Sequence, residues 1–210
     1  MLFKKSPEKF WDLIANKYAA SPISDMAAYE TKIEMIESCL RPEHVVLDIG
    51  CGTGTQCCDL AGHVRQVTGI DISGKLLAIA EQRTKERGLN NIEYLKTSLY
   101  DDRLQAEGFD IVMAFFVLHF FEDLEASIKR VHDLLKPGGL FISETVCMGG
   151  KSVIVDKLMG VAGRLGVLPK INLLTTGQLE QAMEQAGFTL VDKVQFSESS
   201  DEYTLFARRL

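Results

Sequence analysis

The sequence predicts an α/β fold: a doubly wound, mostly parallel sheet of seven strands, with helices on both faces and a helical N-terminal extension. Three observations carry this. Short, nearly continuous apolar runs recur along the chain, the pattern of strands covered on both faces. Amphipathic helical stretches alternate with them, which implies parallel pairing through right-handed crossovers. The last two runs are joined only by the polar loop Ser197-Glu198-Ser199-Ser200-Asp201, so one closing strand must run antiparallel.

The elements follow in order. Phe10, Trp11, Ile14, Ala15 and Ala19 form one helical stripe and Ile33, Ile36 and Leu40 another, with Ser21-Pro22 between them. Proline breaks the pattern because its ring has no place in a helix interior. Val45 to Ile49 is the first strand, ending in glycines, and a helix starts near Gln56. Gln66 to Ile70 is the second strand, closed by Asp71, and Ser73 caps a helix whose Leu76, Leu77 and Ala80 share a face. Gly88-Leu89-Asn90-Asn91 ends that helix before a third strand, Ile92 to Leu95. Phe109 to Phe115 is the fourth strand. A helix from Leu124 to Leu135 stops at Pro137-Gly138-Gly139, and Leu140 to Ser143 is the fifth strand. Thr176 to Ala186 forms a helix capped by Gly187, followed by strands over Phe188 to Phe196 and Glu202 to Ala207.

The 210 residues suit one domain, 1–210, with residues 1–42 as a helical cover. Hydrophobic residues at 46% and charged residues at 25% are ordinary globular composition. A net charge of −6 speaks against a global grip on nucleic acid or an anionic membrane. The five cysteines, Cys39, Cys51, Cys57, Cys58 and Cys147, lack paired spacing. With no signal peptide evident, they point to a reducing, cytoplasmic setting. The longest nearly apolar run, Ile111 to Phe121, contains His119 and is about half the roughly 20 residues of a membrane helix.

The chemistry concentrates at Asp48-Ile49-Gly50-Cys51-Gly52-Thr53-Gly54. Glycines at a strand-to-helix turn let a ligand approach the backbone, and a helix N-terminus offers free N–H groups. Asp71, 21 residues beyond Gly50 at the second strand's tip, is placed to accept both hydroxyls of an adenosine ribose. A nicotinamide fingerprint needs glycines at offsets 0, 2 and 5. Here they fall at 0, 2 and 4, with Thr55 in the fingerprint position. Asp48 suits a ligand ammonium better than a pyrophosphate. These features favour a cationic amine joined to an adenosine over a dinucleotide.

At these residues the chain resembles the class I S-adenosylmethionine-dependent methyltransferases. Val46 to Gly54 (VLDIGCGTG) is similar to the family's first motif and Gly69 to Ser73 (GIDIS) to its second. Phe109 to Val112 (FDIV), Val117 to His119 (VLH), Leu134 to Ile142 (LLKPGGLFI) and Ala186-Gly187-Phe188 resemble later stretches in the same order. The resemblance implies a Rossmann-like sheet of order 3-2-1-4-5-7-6 with the seventh strand antiparallel, and S-adenosylmethionine as cofactor. It implies that the backbone at Gly50, Cys51 and Gly52 cradles the methionine part and that Asp71 takes the ribose hydroxyls. Ile72 would flank the adenine, and the Phe115 carbonyl would meet the ammonium. The family's adenine-reading acid is replaced here by Ser98, so the Ser98 hydroxyl or the Leu99 N–H would read that edge. Tyr18 sits where an N-terminal aromatic folds over the cofactor.

Weaker signals remain open in meaning. His119, at the rim beyond the fourth strand, is either a general base or a packed loop residue. Tyr18 and Tyr29 either line a pocket or fasten the N-terminal helices. Gly149-Gly150-Lys151-Ser152 lacks the leading glycine of a phosphate loop, since Thr145 stands there. No histidines have metal-ligand spacing, so no metal is expected. Residues 147–172 form an apolar insertion with Gly160, Gly163 and Gly166 interleaved. It is either a lid over the acceptor entrance or a packing helix. The expected activity is methyl transfer to an apolar or aromatic small molecule, with a non-catalytic cofactor-binding module and an NAD-dependent oxidoreductase as alternatives.

Overall fold

The structure, a computed structural model, describes residues 6–149, 170–197 and 201–210. Most of the 147–172 insertion therefore lies outside the described residues. Seven strands form one sheet: β1 (Val45–Ile49), β2 (Gln66–Asp71), β3 (Ile92–Lys96), β4 (Phe109–Phe115), β5 (Leu135–Val146), β6 (Phe188–Val194) and β7 (Glu202–Arg209). Their order is β3-β2-β1-β4-β5-β7-β6. Strands β1 to β5 pair in parallel and β7 runs antiparallel to both neighbours, as the resemblance and the closing loop predict.

Strand periodicity divides the core. Val46, Val67, Ile111, Met113, Leu140, Ile142 and Phe206 face one side, against Ile33 and Ile36 of α2 (Met26–Glu37) and Cys57 and Leu60 of α3 (Thr55–Leu60). Leu77 of α4 (Gly74–Glu86) joins the same side. The opposite side carries Leu47, Val112, Phe141 and Leu205 against α5 (Leu124–Leu134) and α6 (Thr176–Ala186). Caps fix the helix ends: the Ser73 hydroxyl accepts from the Leu76 N–H at 3.2 Å, and Gly187 closes α6 with φ +97°.

One boundary differs from the sequence reading. β5 begins at Leu135, where it already pairs with Phe109, and the chain passes through Pro137 and Gly138 as an irregularity within the strand. The proline and glycines look like a stop because their ladder contribution is poor, yet parallel pairing with β4 spans them.

The first helix, α1 (Pro7–Ala20), is anchored at both sides of the sheet's carboxyl edge. The Asp12 carboxylate accepts from the Ser73 hydroxyl at 2.6 Å and the Lys75 N–H at 3.2 Å, which ties α1 to the start of α4. Trp11 meets Phe120 edge-on at 5.5 Å, beyond β4. These bonds hold Asp12 below its ordinary carboxylate range, the Ser73 hydroxyl first. Such a clamp is present above about pH 4 and lost as pH falls through the lowered value. Trp11 is the chain's single tryptophan and reports on it. We expect Asp12→Ala to red-shift Trp11 emission at neutral pH, and acidification to do the same in the unaltered protein. An unchanged spectrum in the variant would show that α1 is held by other contacts.

Candidate functional site

A cavity of about 1520 Å³ opens at the carboxyl ends of β1, β2 and β4, where the strand order reverses between β1 and β4. It is lined by Tyr18, Asp48, Gly50, Cys51, Gly52, Asp71, Ile72, Ser98, Leu99, Phe115 and His119, so every site residue named from the sequence meets in one place.

The turn after β1 is built from left-handed backbone. Gly50 has φ +69°, and a Cβ there would stand 2.7 Å from Val117 Cγ2. Gly52 has φ +54°, and its missing Cβ leaves the backbone facing the Tyr18 ring, 3.7 Å from where that atom would sit. Arg83 of α4 braces the turn through the Thr53 carbonyl at 2.6 Å and the Thr53 hydroxyl at 3.0 Å.

The turn's N–H groups are not free, as a helix-start anion site would need. Gly50 N–H and Cys51 N–H both donate to the Ile70 carbonyl, at 2.8 and 3.0 Å. Gly52 N–H donates to Asp71 Oδ2 at 3.0 Å, and Gly54 N–H to the Cys51 carbonyl at 2.9 Å. Three of these donors bind the tip of β2 and the fourth closes the turn on itself, so Gly50, Cys51, Gly52 and Gly54 present close backbone rather than free N–H groups.

Asp71 is also less open than a strand tip suggests. It is 9% exposed, and its other oxygen accepts from Ser73 N–H at 2.8 Å. Burial raises its pKa, opposed by the N–H bonds from Ser73 and Gly52. Asp48 is 2% exposed and accepts from the Cys57 thiol at 3.1 Å. Burial pushes its pKa up to about 7, with the Asp71 charge adding and the thiol bond opposing. The Cys57 thiol itself is held well above its ordinary range by its bond with Cys51 and by burial, so it stays a neutral donor. No cationic side chain among the described residues pairs with either carboxylate.

Residues 47–143 match the family model described as a methyltransferase domain. The ubiquinone biosynthesis O-methyltransferase of Dinoroseobacter shibae is 32% identical over 172 residues, 79% of this chain and 68% of that protein. The chain belongs to the class I S-adenosylmethionine-dependent methyltransferases. The protein of the same description from Coxiella burnetii is 30% identical over 158 residues, 73% of this chain and 66% of that protein. The chain thus spans about two thirds of the length of these curated relatives. A Thermotoga maritima S-adenosylmethionine-dependent methyltransferase, described as a possible histamine N-methyltransferase, shares the fold at TM-score 0.71. It is 20% identical over 98% of this chain and 100% of that one. The [4+2]-cyclase SpnF shares it at TM-score 0.79 and 18% identity over 96% of this chain and 95% of its own.

The residues present fit the family's cofactor. S-adenosylmethionine carries an ammonium and a sulfonium, and the site offers two buried carboxylates that no cationic side chain among the described residues pairs with. A dinucleotide's pyrophosphate would meet those charges with repulsion and find the Gly50, Cys51 and Gly52 N–H groups already engaged.

Among the cavity residues that the sequence reading did not assign to the site are Trp11, Lys32 and Glu144. Trp11 was placed only on a helical stripe, whereas it lines the cavity from α1. Lys32 and Glu144 form a buried ion pair at 2.5 Å, with side chains 7% and 5% exposed. The signal was there: Glu144 follows Leu140 and Ile142 on one strand face, and Lys32 interrupts the buried stripe of Ile33 and Ile36.

His119 lines the same chamber with its Nδ1 buried and unpartnered among the described residues. Burial lowers its pKa to about 4. The imidazole is therefore neutral at pH 7, and its low basicity matches proton removal at that pH poorly.

Because Asp71 carries two backbone donors, Asp71→Ala should cost the cofactor-free protein about 1–3 kcal/mol, the range for stranding buried donors. Cofactor affinity should fall as well. Urea unfolding and calorimetry with S-adenosylhomocysteine check the two effects separately. Unchanged stability would remove the structural role, and unchanged affinity the ribose role.

Proposed function

We propose that the protein transfers the methyl group of S-adenosylmethionine to an apolar or aromatic small molecule. The single observation that supports this reading is the cavity's extent. It continues past the turn and Asp71 into a chamber walled by Phe116, Phe120, Phe121 and Val146. Single ligands usually occupy about 300–1,000 Å³, so about 1520 Å³ accommodates a cofactor and a second, largely apolar molecule together. Pro7, Trp11 and Tyr18 of α1 and Met26 and Tyr29 of α2 form the outer wall, which favours a small acceptor over a polymer.

In this reading Asp48 faces the cofactor's ammonium, Asp71 the ribose hydroxyls, Ile72 and Leu99 the adenine, and Tyr18 covers the turn. Ser98, exposed at the cavity rim, meets the adenine edge in place of an acid. Phe115 ends β4 at the methionine side, and Phe116, with φ +55°, turns the chain out of the sheet. Bound S-adenosylmethionine supplies an already activated methyl group on a sulfonium. The protein's own task is to align the acceptor with that group and keep water away. The names of the relatives, both O-methyltransferases, support oxygen as the attacking atom.

Calorimetry should show binding of S-adenosylmethionine and S-adenosylhomocysteine and none of NAD or NADP. A labelled-methyl screen should mark hydrophobic hydroxylated compounds. Tighter NAD binding, or label appearing only in tRNA or protein, would contradict the reading.

A further inference from the structure

The Lys32–Glu144 pair joins residues 112 positions apart inside the chamber, on the face that otherwise carries Leu140 and Ile142. A buried ion pair is a poor fastener. Removing two charges from water costs about what their attraction returns, and apolar residues of similar volume often hold such a place equally well. If the pair served only to fix α2 to β5, the neighbouring contacts of Ile33 and Ile36 would suffice.

Its unspent bonding capacity points inward. Glu144 Oε2 takes the lysine, while Oε1 has only a long 3.5 Å contact from the Thr204 hydroxyl among the described residues. Among the described residues the Lys32 ammonium makes one hydrogen bond, to the carboxylate at 2.5 Å, and otherwise faces the rings of Tyr29, Phe115 and Phe116 at 5.2, 5.4 and 5.7 Å. Both residues line the cavity. A carboxylate oxygen, ammonium protons and three aromatic faces therefore meet at one wall.

We propose that Lys32 and Glu144 bind the acceptor through an ionisable hydroxyl on a planar, aromatic or enolic ring, and that Glu144 takes the hydroxyl proton. This deepens the methyltransferase reading and rests on it. The O–H proton passes to Glu144 Oε1, and the electron pair of that bond stays on the acceptor oxygen. Glu144 becomes a neutral carboxylic acid and returns the proton to solvent when the site reopens. The transfer leaves the buried net charge unchanged, and the advantage of a pair over a lone carboxylate is that the ammonium stays beside the negative charge wherever it sits. The negative charge moves from Glu144 to the acceptor oxygen while Lys32 remains beside it, so no new charge is created in a poorly hydrated chamber. Burial raises the Glu144 pKa and the Glu202 charge adds, while Lys32 and the Thr204 hydroxyl oppose. The carboxylate is thus a stronger base than an exposed glutamate. Lys170 and His119 also border the chamber.

The test uses 4-nitrophenol, whose absorption separates phenol from phenolate, with the 210-residue chain saturated in S-adenosylhomocysteine. In the unaltered protein the bound probe should show the phenolate band about one pH unit below its free ionisation midpoint. Glu144→Gln should bind S-adenosylhomocysteine within about twofold of the unaltered protein. With Lys32 left as a lone ammonium, its bound probe should be a phenolate whose proton is released to buffer, whereas the unaltered protein keeps that proton on Glu144. Because Glu144→Gln strands a buried ammonium, the double variant Lys32→Met, Glu144→Met replaces the pair with apolar volume. It should fold, keep S-adenosylhomocysteine binding and lose probe affinity at least tenfold. Equal probe affinity and ionisation midpoint in the unaltered protein and the double variant would overturn the proposal. Absence of S-adenosylhomocysteine binding by the unaltered protein would instead overturn the methyltransferase reading.

Discussion

Two carboxylates held out of water at the tips of neighbouring strands, without a protein cation between them, organise this molecule. Asp48 stands one residue before the end of β1, opposite Gly69 of β2, and Asp71 ends β2 two residues further on, near enough for its charge to raise the Asp48 pKa. For the empty protein this is a cost. A carboxyl whose pKa is raised by folding weakens the fold as it ionises, so that contribution to stability falls as pH rises from about 4 to about 7. The turn between β1 and α3 tolerates the arrangement by giving its own N–H groups to β2: Gly50 and Cys51 to the Ile70 carbonyl, and Gly52 to Asp71.

The elements around this centre are placed to complete an enclosure. α1 reaches over the strand ends because Asp12 fastens it to the α4 cap while Trp11 rests on Phe120. α2 brings Tyr29 and Lys32 to the far wall, and β5 brings Glu144 to meet them. The polar groups of the chamber thus come from opposite ends of the chain. The apolar groups beside them come chiefly from the segment after β4.

Much of this was legible in the sequence because strands buried on both faces leave apolar runs that no loop imitates. Val45 to Ile49 and Phe109 to Phe115 coincide with β1 and β4, and Ser197 to Asp201 signalled the antiparallel end. The glycine turn and the acid after it, adjacent motifs in the sequence reading, line one cavity. Bonding partners were less visible. That the turn's N–H groups close on Ile70 and Asp71 depends on left-handed dihedrals at Gly50 and Gly52, which spacing does not encode. Pro137-Gly138-Gly139 reads as a stop because propensity weighs proline and glycine before it weighs pairing with β4. Lys32 and Glu144 each break an apolar pattern, but only the fold shows that they break it at the same point.

The central claim is that a buried Asp48, its pKa pushed up to about 7, ionises to receive the cofactor's ammonium in the proposed site. Its most direct test is calorimetry of S-adenosylhomocysteine binding between pH 5.5 and 7.5, run in two buffers of different ionisation enthalpy. Over that range the ligand's α-amino group, with an ordinary pKa of about 7.7–8.0, is mostly charged. The account predicts net proton release on binding near pH 6.5 and an affinity that rises with pH across the window. Binding with no proton release and constant affinity would contradict it.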